Sequence, residues 1–273
     1  MSPVFVGNDV VDLGDPRTQG RFKDERFVSR VLAPAELEAV RTAPDPDLEL
    51  WCRWAAKEAG FKVVSKLLGS PPVFVHRAFQ VVWGAGEEAW GAAGFPHGAE
   101  STLRAGAVRY RELEAPVAVA RWAQSLHAVA FGARGLVVRG VSIRPRVARL
   151  DEPGAPWAKG IEELTRRLTP READAVHSRA SAAVRVGARR ALAELLGVEE
   201  RRLEIACAPG PTSRRPPRVL LDGEETEIDV SLSHDGRWIA WAVCTDEVGA
   251  RVPRIEAASP GSSPGRRATG RRP

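Results

Sequence analysis

Between Leu48 and Leu68 the residues Leu50, Trp54, Phe61, Val64 and Leu68 recur at helical spacing, and Gly69 followed by two prolines stops the run. A helix this long, apolar along one stripe, must bury that stripe against another layer. The partner layer is legible around it. The chain opens with VFVGNDVVDL, a β-rich run from Val4 to Leu13. A shorter helix follows, with Pro34 and Glu36 in its first turn, and Ala43–Asp47 reads as a loop. After the long helix, Val73–Trp83, Ala105–Leu113, Val117–Trp122, His127–Phe131 and Gly135–Ile143 read as strands.

The pattern then repeats. Pro145–Pro156 is turn-rich and reads as a linker. Thr169-Pro170-Arg171-Glu172 has the form of a capping box with proline at the first helical position. A helix spans roughly Ala182–Leu196 and ends at Gly197, and strands are expected at Arg202–Ala206, Arg218–Leu221, Asp229–Ser233 and Trp238–Cys244. Helices followed by antiparallel strands, twice, imply an α+β fold built as a pseudo-twofold pair of halves with a cleft between them. The expected divisions are 1–145, 157–247 and a Pro/Gly/Ser/Arg-rich tail at 248–273, expected to be disordered.

Composition narrows the function. No apolar run approaches the roughly 20 residues of a membrane span, and the N-terminus lacks a basic region followed by an apolar stretch, so a cytoplasmic protein is expected. Cys52, Cys207 and Cys244 have no metal-ligand spacing and read as small buried apolar residues. The net charge of +5 owes four arginines to Gly261–Pro273, and no basic stripe interleaved with aromatics marks a nucleic-acid surface.

Three motifs carry candidate chemistry. In Gly7-Asn8-Asp9-Val10-Val11-Asp12-Leu13 an acid inside a valine-rich strand is costly to bury unless it is paired or binds a cation. The bland alternative is an Asx-type hydrogen bond at a strand end. Asp9 and Asp12 share a face only if the strand ends near Val11. In Trp51-Cys52-Arg53-Trp54-Ala55-Ala56-Lys57-Glu58-Ala59-Gly60-Phe61-Lys62, Glu58 and Lys62 share a helical face, either as a site or as an ordinary surface pair. Lys57 lies about a hundred degrees away around the helix. In Asp229-Val230-Ser231-Leu232-Ser233-His234-Asp235-Gly236, Ser233 and His234 sit where a strand leaves for a turn. Neighbours on a strand face opposite ways, which disfavours a Ser–His hydrolase.

Taken together, GNDVVDL resembles the G-x-D motif of the 4'-phosphopantetheinyl transferase superfamily, RWAAKEAGFK its W-x-x-K-E-A-x-x-K helix, and SLSHDGRWIAWAV its S-H-D/S segment. The resemblance spans roughly residues 4–244. Two departures stand out. The S-H segment follows the other motifs here, whereas in the larger monomeric members it precedes them. Val11 stands where those members place a second acidic ligand.

What the resemblance implies is transfer of the phosphopantetheine arm of coenzyme A to a serine of an acyl or peptidyl carrier protein, or else a non-catalytic relative that binds coenzyme A or a carrier. It implies Mg2+ held by Asp9 and Glu58, with Asp12 as a further candidate ligand. Lys62 would stabilise the leaving group, and Glu58 or a water would accept the serine proton. Ser233 and His234, with Lys57, Arg185 and Arg189, would contact the coenzyme A phosphates, each arginine having a solvated helix face as its alternative, and Arg179 lies on the same stretch. His127 is either a relic of a second half-site or a core histidine. A monomer is implied by the pseudo-dimeric chain.

Overall fold

The computed structural model describes residues 4–85, 101–133, 141–208 and 215–246. Sheets and helices are mixed throughout. The first half opens with β1 (Val4–Asp12), followed by α1 (Glu25–Val31), α2 (Pro34–Thr42) and α3 (Pro46–Leu67). α3 starts where the Asp45 carboxylate accepts the Leu48 N–H at 3.0 Å and Pro46 takes the first helical position. It stops at Gly69, whose φ of 75° is left-handed. Then β2 (Gln80–Trp83), β3 (Ser101–Tyr110), β4 (Leu113–Trp122) and β5 (Ser125–Ala133) join β1 in an antiparallel sheet of order β1-β5-β4-β3-β2.

α3 lies across this sheet, with Ala55, Ala56, Ala59 and Val63 packed on Val108, Val117, Val119, Ala128 and Ala130. Small residues let the layers close. A Cβ on Gly7 would sit 2.0 Å from the Ala59 carbonyl oxygen, and one on Gly60 would sit 2.6 Å from the Val108 side chain. The glycine that opens the first motif therefore sets how near α3 comes to β1.

The second half holds β6 (Val141–Arg149), α4 (Ile161–Arg166), α5 (Pro170–Ala173), α6 (Arg179–Leu196), β7 (Leu203–Ala206), β8 (Arg218–Leu221), β9 (Glu224–Glu225), β10 (Asp229–Asp235) and β11 (Trp238–Asp246). The capping box forms, Thr169 and Glu172 each accepting the other's backbone N–H. α6 packs on a sheet of order β10-β11-β6, while β7-β8-β9 form a small third sheet.

Two expectations are corrected. The division expected at 145 and the first five residues of the linker expected at Pro145–Pro156 fall inside β6, which pairs with β11 along its whole length, while residues 150–156 lie in turns outside any strand or helix. β6 is an edge strand, where a proline in mid-strand forfeits no ladder bond. Of the strand expected at Val73–Trp83 only Gln80–Trp83 forms. His76–Ala78 instead makes a 3-10 turn whose carbonyls are claimed by Lys57. The expected tail at 248–273 and the first residues of the strand expected at Gly135–Ile143 lie outside the described residues.

The placement of β1 matters most. One edge pairs with β5. Along its other edge the N–H groups of Val6, Asn8, Val10 and Asp12 donate in turn to Asp229, Ser231, Ser233 and Asp235 of β10, at 2.6, 2.9, 3.3 and 2.8 Å. The polar face of β10 thus caps the free edge of β1, and the constant offset keeps the two strands in step. Two lysines of α3 cap the carbonyls on the same edge. Lys66 Nζ donates to Val6 O at 2.7 Å and Lys62 Nζ to Asn8 O at 2.5 Å. Val6 and Val10 pack towards β11, against Ala242 and against Trp238 and Ala240. A strand enclosed on every side needs its backbone polar groups satisfied, and these side chains do it.

Candidate active site

Asp9 is the one acid on the face of β1 that meets α3, and it is 9% exposed. Its Oδ1 accepts from the Ser233 hydroxyl at 2.8 Å and lies 3.2 Å from Lys62 Nζ. Burial raises its pKa to about 6, with Glu58 adding to the rise and Lys62 and Ser233 opposing it. Two hydrogen-bonding partners, one of them cationic, thus leave the carboxylate short of compensation. Glu58 reaches the same region from α3, with Oε1 3.3 Å from His76 Nε2.

Both carboxylates line one open cleft of about 620 Å³. Its walls include Trp51, Trp54 and Phe27, which pack on one another with ring centroids 5.5 to 5.9 Å apart. Arg17 and Arg21 line the cleft from the loop after β1, each paired to a nearby carboxylate, Asp15 and Asp24. His234 and Asp235 close the side that belongs to β10. Burial, with His177, Lys62 and Arg185 nearby, holds the His234 imidazole below its ordinary range and so neutral near pH 7.

The structure therefore brings Asp9, Glu58, Lys62, Ser233 and His234 together. It separates others that the sequence had grouped with them. Asp12 belongs to the opposite face of β1, because the strand runs on through it. Arg237 holds both its oxygens, Nε to Oδ2 at 2.9 Å and Nη2 to Oδ1 at 2.8 Å, and the Gly14 and Arg237 N–H groups add two more bonds. These bonds outweigh its burial and hold its carboxyl below the usual range. Asp12 is an ion pair between β1 and the turn after β10, with both oxygens engaged.

Lys57 is wholly buried and does not line the cleft that holds Asp9 and Glu58. Its ammonium donates to Glu36 at 2.6 Å and to the carbonyls of Phe79 and His76 at 2.5 and 3.2 Å. The Lys57 ammonium is thus turned into the core, away from the expected phosphate contact. Arg189 is likewise engaged, by Glu172 at 3.0 Å and by the carbonyls of Arg167 and Glu200, with its buried Nε left without a partner. Arg185 is 7% exposed, bonds to Ser181 O and Oγ, and keeps a buried Nε with no partner. Neither arginine presents the solvated face that was its alternative reading. Ser233 spends its hydroxyl on Asp9 and the Val10 N–H, so its link to any phosphate is indirect. His127 is 5% exposed beside Asn8, in the core. Arg179 bonds to the carbonyls of Lys159 and Leu150.

Sequence reasoning passed over Asp229 and Lys66, whose buried pair at 2.7 Å joins β10 to α3. It also passed over His76 and the aromatic wall. The alternation Asp229, Ser231, Ser233, Asp235 was the available signal, a polar period of two with Val230 and Leu232 between its first members.

Among the described residues no three His, Cys, Asp or Glu side chains gather as a metal-ligand cluster. Asp9 and Glu58 nonetheless suit a hard cation that takes one or two protein carboxylates and completes its shell with substrate phosphates. The placement of these two carboxylates, one from β1 and one from α3, on the wall of one cleft is the observation that favours this fit. No helix among the described residues is long and apolar enough to cross a membrane.

Comparison with known proteins bears on the same segment. Residues 5–89 match the family model of the 4'-phosphopantetheinyl transferase superfamily. A holo-[acyl-carrier-protein] synthase of Chlorobaculum parvum is 38% identical over 65 residues, 24% of this chain and 52% of that one. A protein of the same name from Azoarcus sp. is 39% identical over 66 residues, 24% and 53% of the two chains. The chain thus spans about half the length of the curated relatives it matches. The crystal structure of holo-[acyl-carrier-protein] synthase from Neisseria meningitidis aligns with a TM-score of 0.33 at 20% identity, covering 48% of this chain and 98% of that one. The similarity to the 4'-phosphopantetheinyl transferase superfamily lies over residues 5–89, the span that supplies Asp9, Glu58 and Lys62.

Proposed function

We propose that the protein transfers the 4'-phosphopantetheine group of coenzyme A to a serine of an acyl or peptidyl carrier protein, releasing 3',5'-adenosine bisphosphate. The observation that carries this reading is the meeting of Asp9 and Glu58 on one cleft, with Lys62 paired to Asp9 at 3.2 Å behind it. The two halves, each a long helix on an antiparallel sheet, are read as a pseudo-twofold pair in a single chain, sufficient as a monomer.

Asp9 and Glu58 would hold a magnesium ion, which when bound neutralises the pyrophosphate of coenzyme A. Ser233 fixes the Asp9 carboxylate from β10. Lys62, 26% exposed at its side chain, can turn from the Asn8 carbonyl to a phosphate oxygen and offset the charge that builds on the leaving group. His234 bounds the phosphate end as a neutral hydrogen-bonding group. The carrier serine oxygen attacks the β-phosphorus, the bond to the bridging oxygen of the bisphosphate breaks, and Glu58 accepts the serine proton. Arg17 and Arg21 at the cleft steer an acidic carrier domain.

The test is transfer to an apo carrier protein by wild type, Asp9→Ala and Glu58→Ala. Loss of transfer in both variants with an unchanged fold is expected. Wild-type turnover in either overturns the reading. Coenzyme A binding without transfer by the wild type would identify a non-catalytic relative.

A further inference from the structure

Glu58 has a neighbour that neither the motifs nor the proposed chemistry uses. His76 sits in the turn after α3, its ring stacked on Trp54 at 4.3 Å and tilted against Phe74 at 4.1 Å. The turn is pinned from below. Lys57, the residue before Glu58, donates to the carbonyls of His76 and Phe79 while paired with Glu36. α3 thus turns Lys57 inwards to anchor the turn and Glu58 outwards beneath the ring that the turn carries. The His76 Nε2 atom is buried and forms no aligned hydrogen bond, yet Glu58 Oε1 lies 3.3 Å away. A buried ring nitrogen without a partner is costly, and a small rotation of the Glu58 carboxylate supplies one. Glu58 Oε2 has no hydrogen-bond partner among the described residues and is the oxygen free to meet a ligand.

We infer that His76 is the positioning residue for Glu58: clamped by Trp54 and Phe74 and anchored through Lys57, it holds Oε1 so that Oε2 serves the cation site. The inference rests on the reading of Glu58 as a metal ligand. Partners of this kind orient a ligand by fixing one of its polar atoms, and their loss costs metal affinity more than fold.

The test is calorimetric titration of the full chain with Mn2+, alongside Mg2+ activation of transfer, in wild type, His76→Phe, His76→Gln and Glu58→Gln. His76→Phe keeps the stacked ring and removes the nitrogen, whereas His76→Gln keeps a side-chain N–H donor. His76→Phe is expected to weaken Mn2+ binding about tenfold, the lower end for such partners. The Mg2+ concentration for half-activation should rise by a similar factor with a smaller change in kcat, and His76→Gln should recover most of the affinity. If His76→Phe lowers the melting temperature, His76→Met replaces it. Mn2+ binding lost in Glu58→Gln but unchanged in the His76 variants overturns the positioning role alone. Binding unchanged in Glu58→Gln overturns the metal reading of Glu58 and this inference with it.

Discussion

Replacing Asp229 by Asn should be among the most destabilising single changes in the chain, although the residue lies outside the cleft. Its Oδ2 accepts from Val6 N–H at 2.6 Å and from Lys66 Nζ at 2.7 Å, and the remaining Lys66 protons go to Val6 O and Val230 O. Burial already pushes Asp229 above and Lys66 below their ordinary ranges, each partner drawing the other back. An amide at 229 can still accept the Val6 N–H, so the loss isolates the charge. Stranding a buried ammonium costs about 3–5 kcal/mol. Because the pair joins β10 to α3, this loss falls on the union of the two halves. Urea unfolding followed by tryptophan fluorescence reads it, since Trp51, Trp54 and Trp83 report one half and Trp157, Trp238 and Trp241 the other. Lys66→Met should cost a similar amount. The double variant should cost less than the sum by about 2 kcal/mol, the coupling expected of contacting charges. A loss below about 1 kcal/mol in Asp229→Asn, or strict additivity, would refute the reasoning.

Further outcomes are expected elsewhere. Gly7→Ala should cost about 1–3 kcal/mol through overpacking, because its Cβ would meet the Ala59 carbonyl, and thermal melts will read it. Lys57→Met should remove one of the two cations beside the buried Glu36 carboxylate, leaving Arg53 at 3.7 Å, and cost about 1.5–3 kcal/mol, measured in urea. Burial, with Lys62 nearby, lowers the His127 pKa from 6.5 to about 3. The stability this residue contributes is therefore full above pH 6.5 and is lost as pH falls towards 3, since only the unfolded chain takes the proton in that window. By pH 5 the loss amounts to about 2 kcal/mol, at 1.36 kcal/mol per unit. His127→Gln should abolish that component of the pH profile, and an identical slope in both proteins would contradict it.

The sequence exposed what depends on residues near one another in the chain. The helical stripe through Leu50, Trp54, Phe61 and Val64 placed α3, and the strand alternation of GNDVVDL put Asp9 and Asp12 on opposite faces once β1 was seen to run through Asp12. Glu58 and Lys62 follow from one helical turn. The failures came where a distant segment chose the side chain's partner. Helical phase gives the direction of Lys57, but nothing local says that Glu36 waits there. Arg189 finds Glu172 in the same way, and Asp12 finds Arg237 across the two halves. The polar face of β10 looked like a ligand-facing strand end. It faces the edge of β1, a backbone acceptor and donor row that no side-chain pattern reveals. His76 had no signal at all, because its packing against Trp54 and Phe74 exists only after the turn is pinned by Lys57.

The most direct test of the central claim is intact mass spectrometry of apo acyl and peptidyl carrier proteins incubated with this protein, coenzyme A and magnesium. The account predicts a gain of one phosphopantetheine group on a carrier, abolished by EDTA and absent with Glu58→Ala. No gain on any carrier, or an undiminished gain with Glu58→Ala, would contradict it.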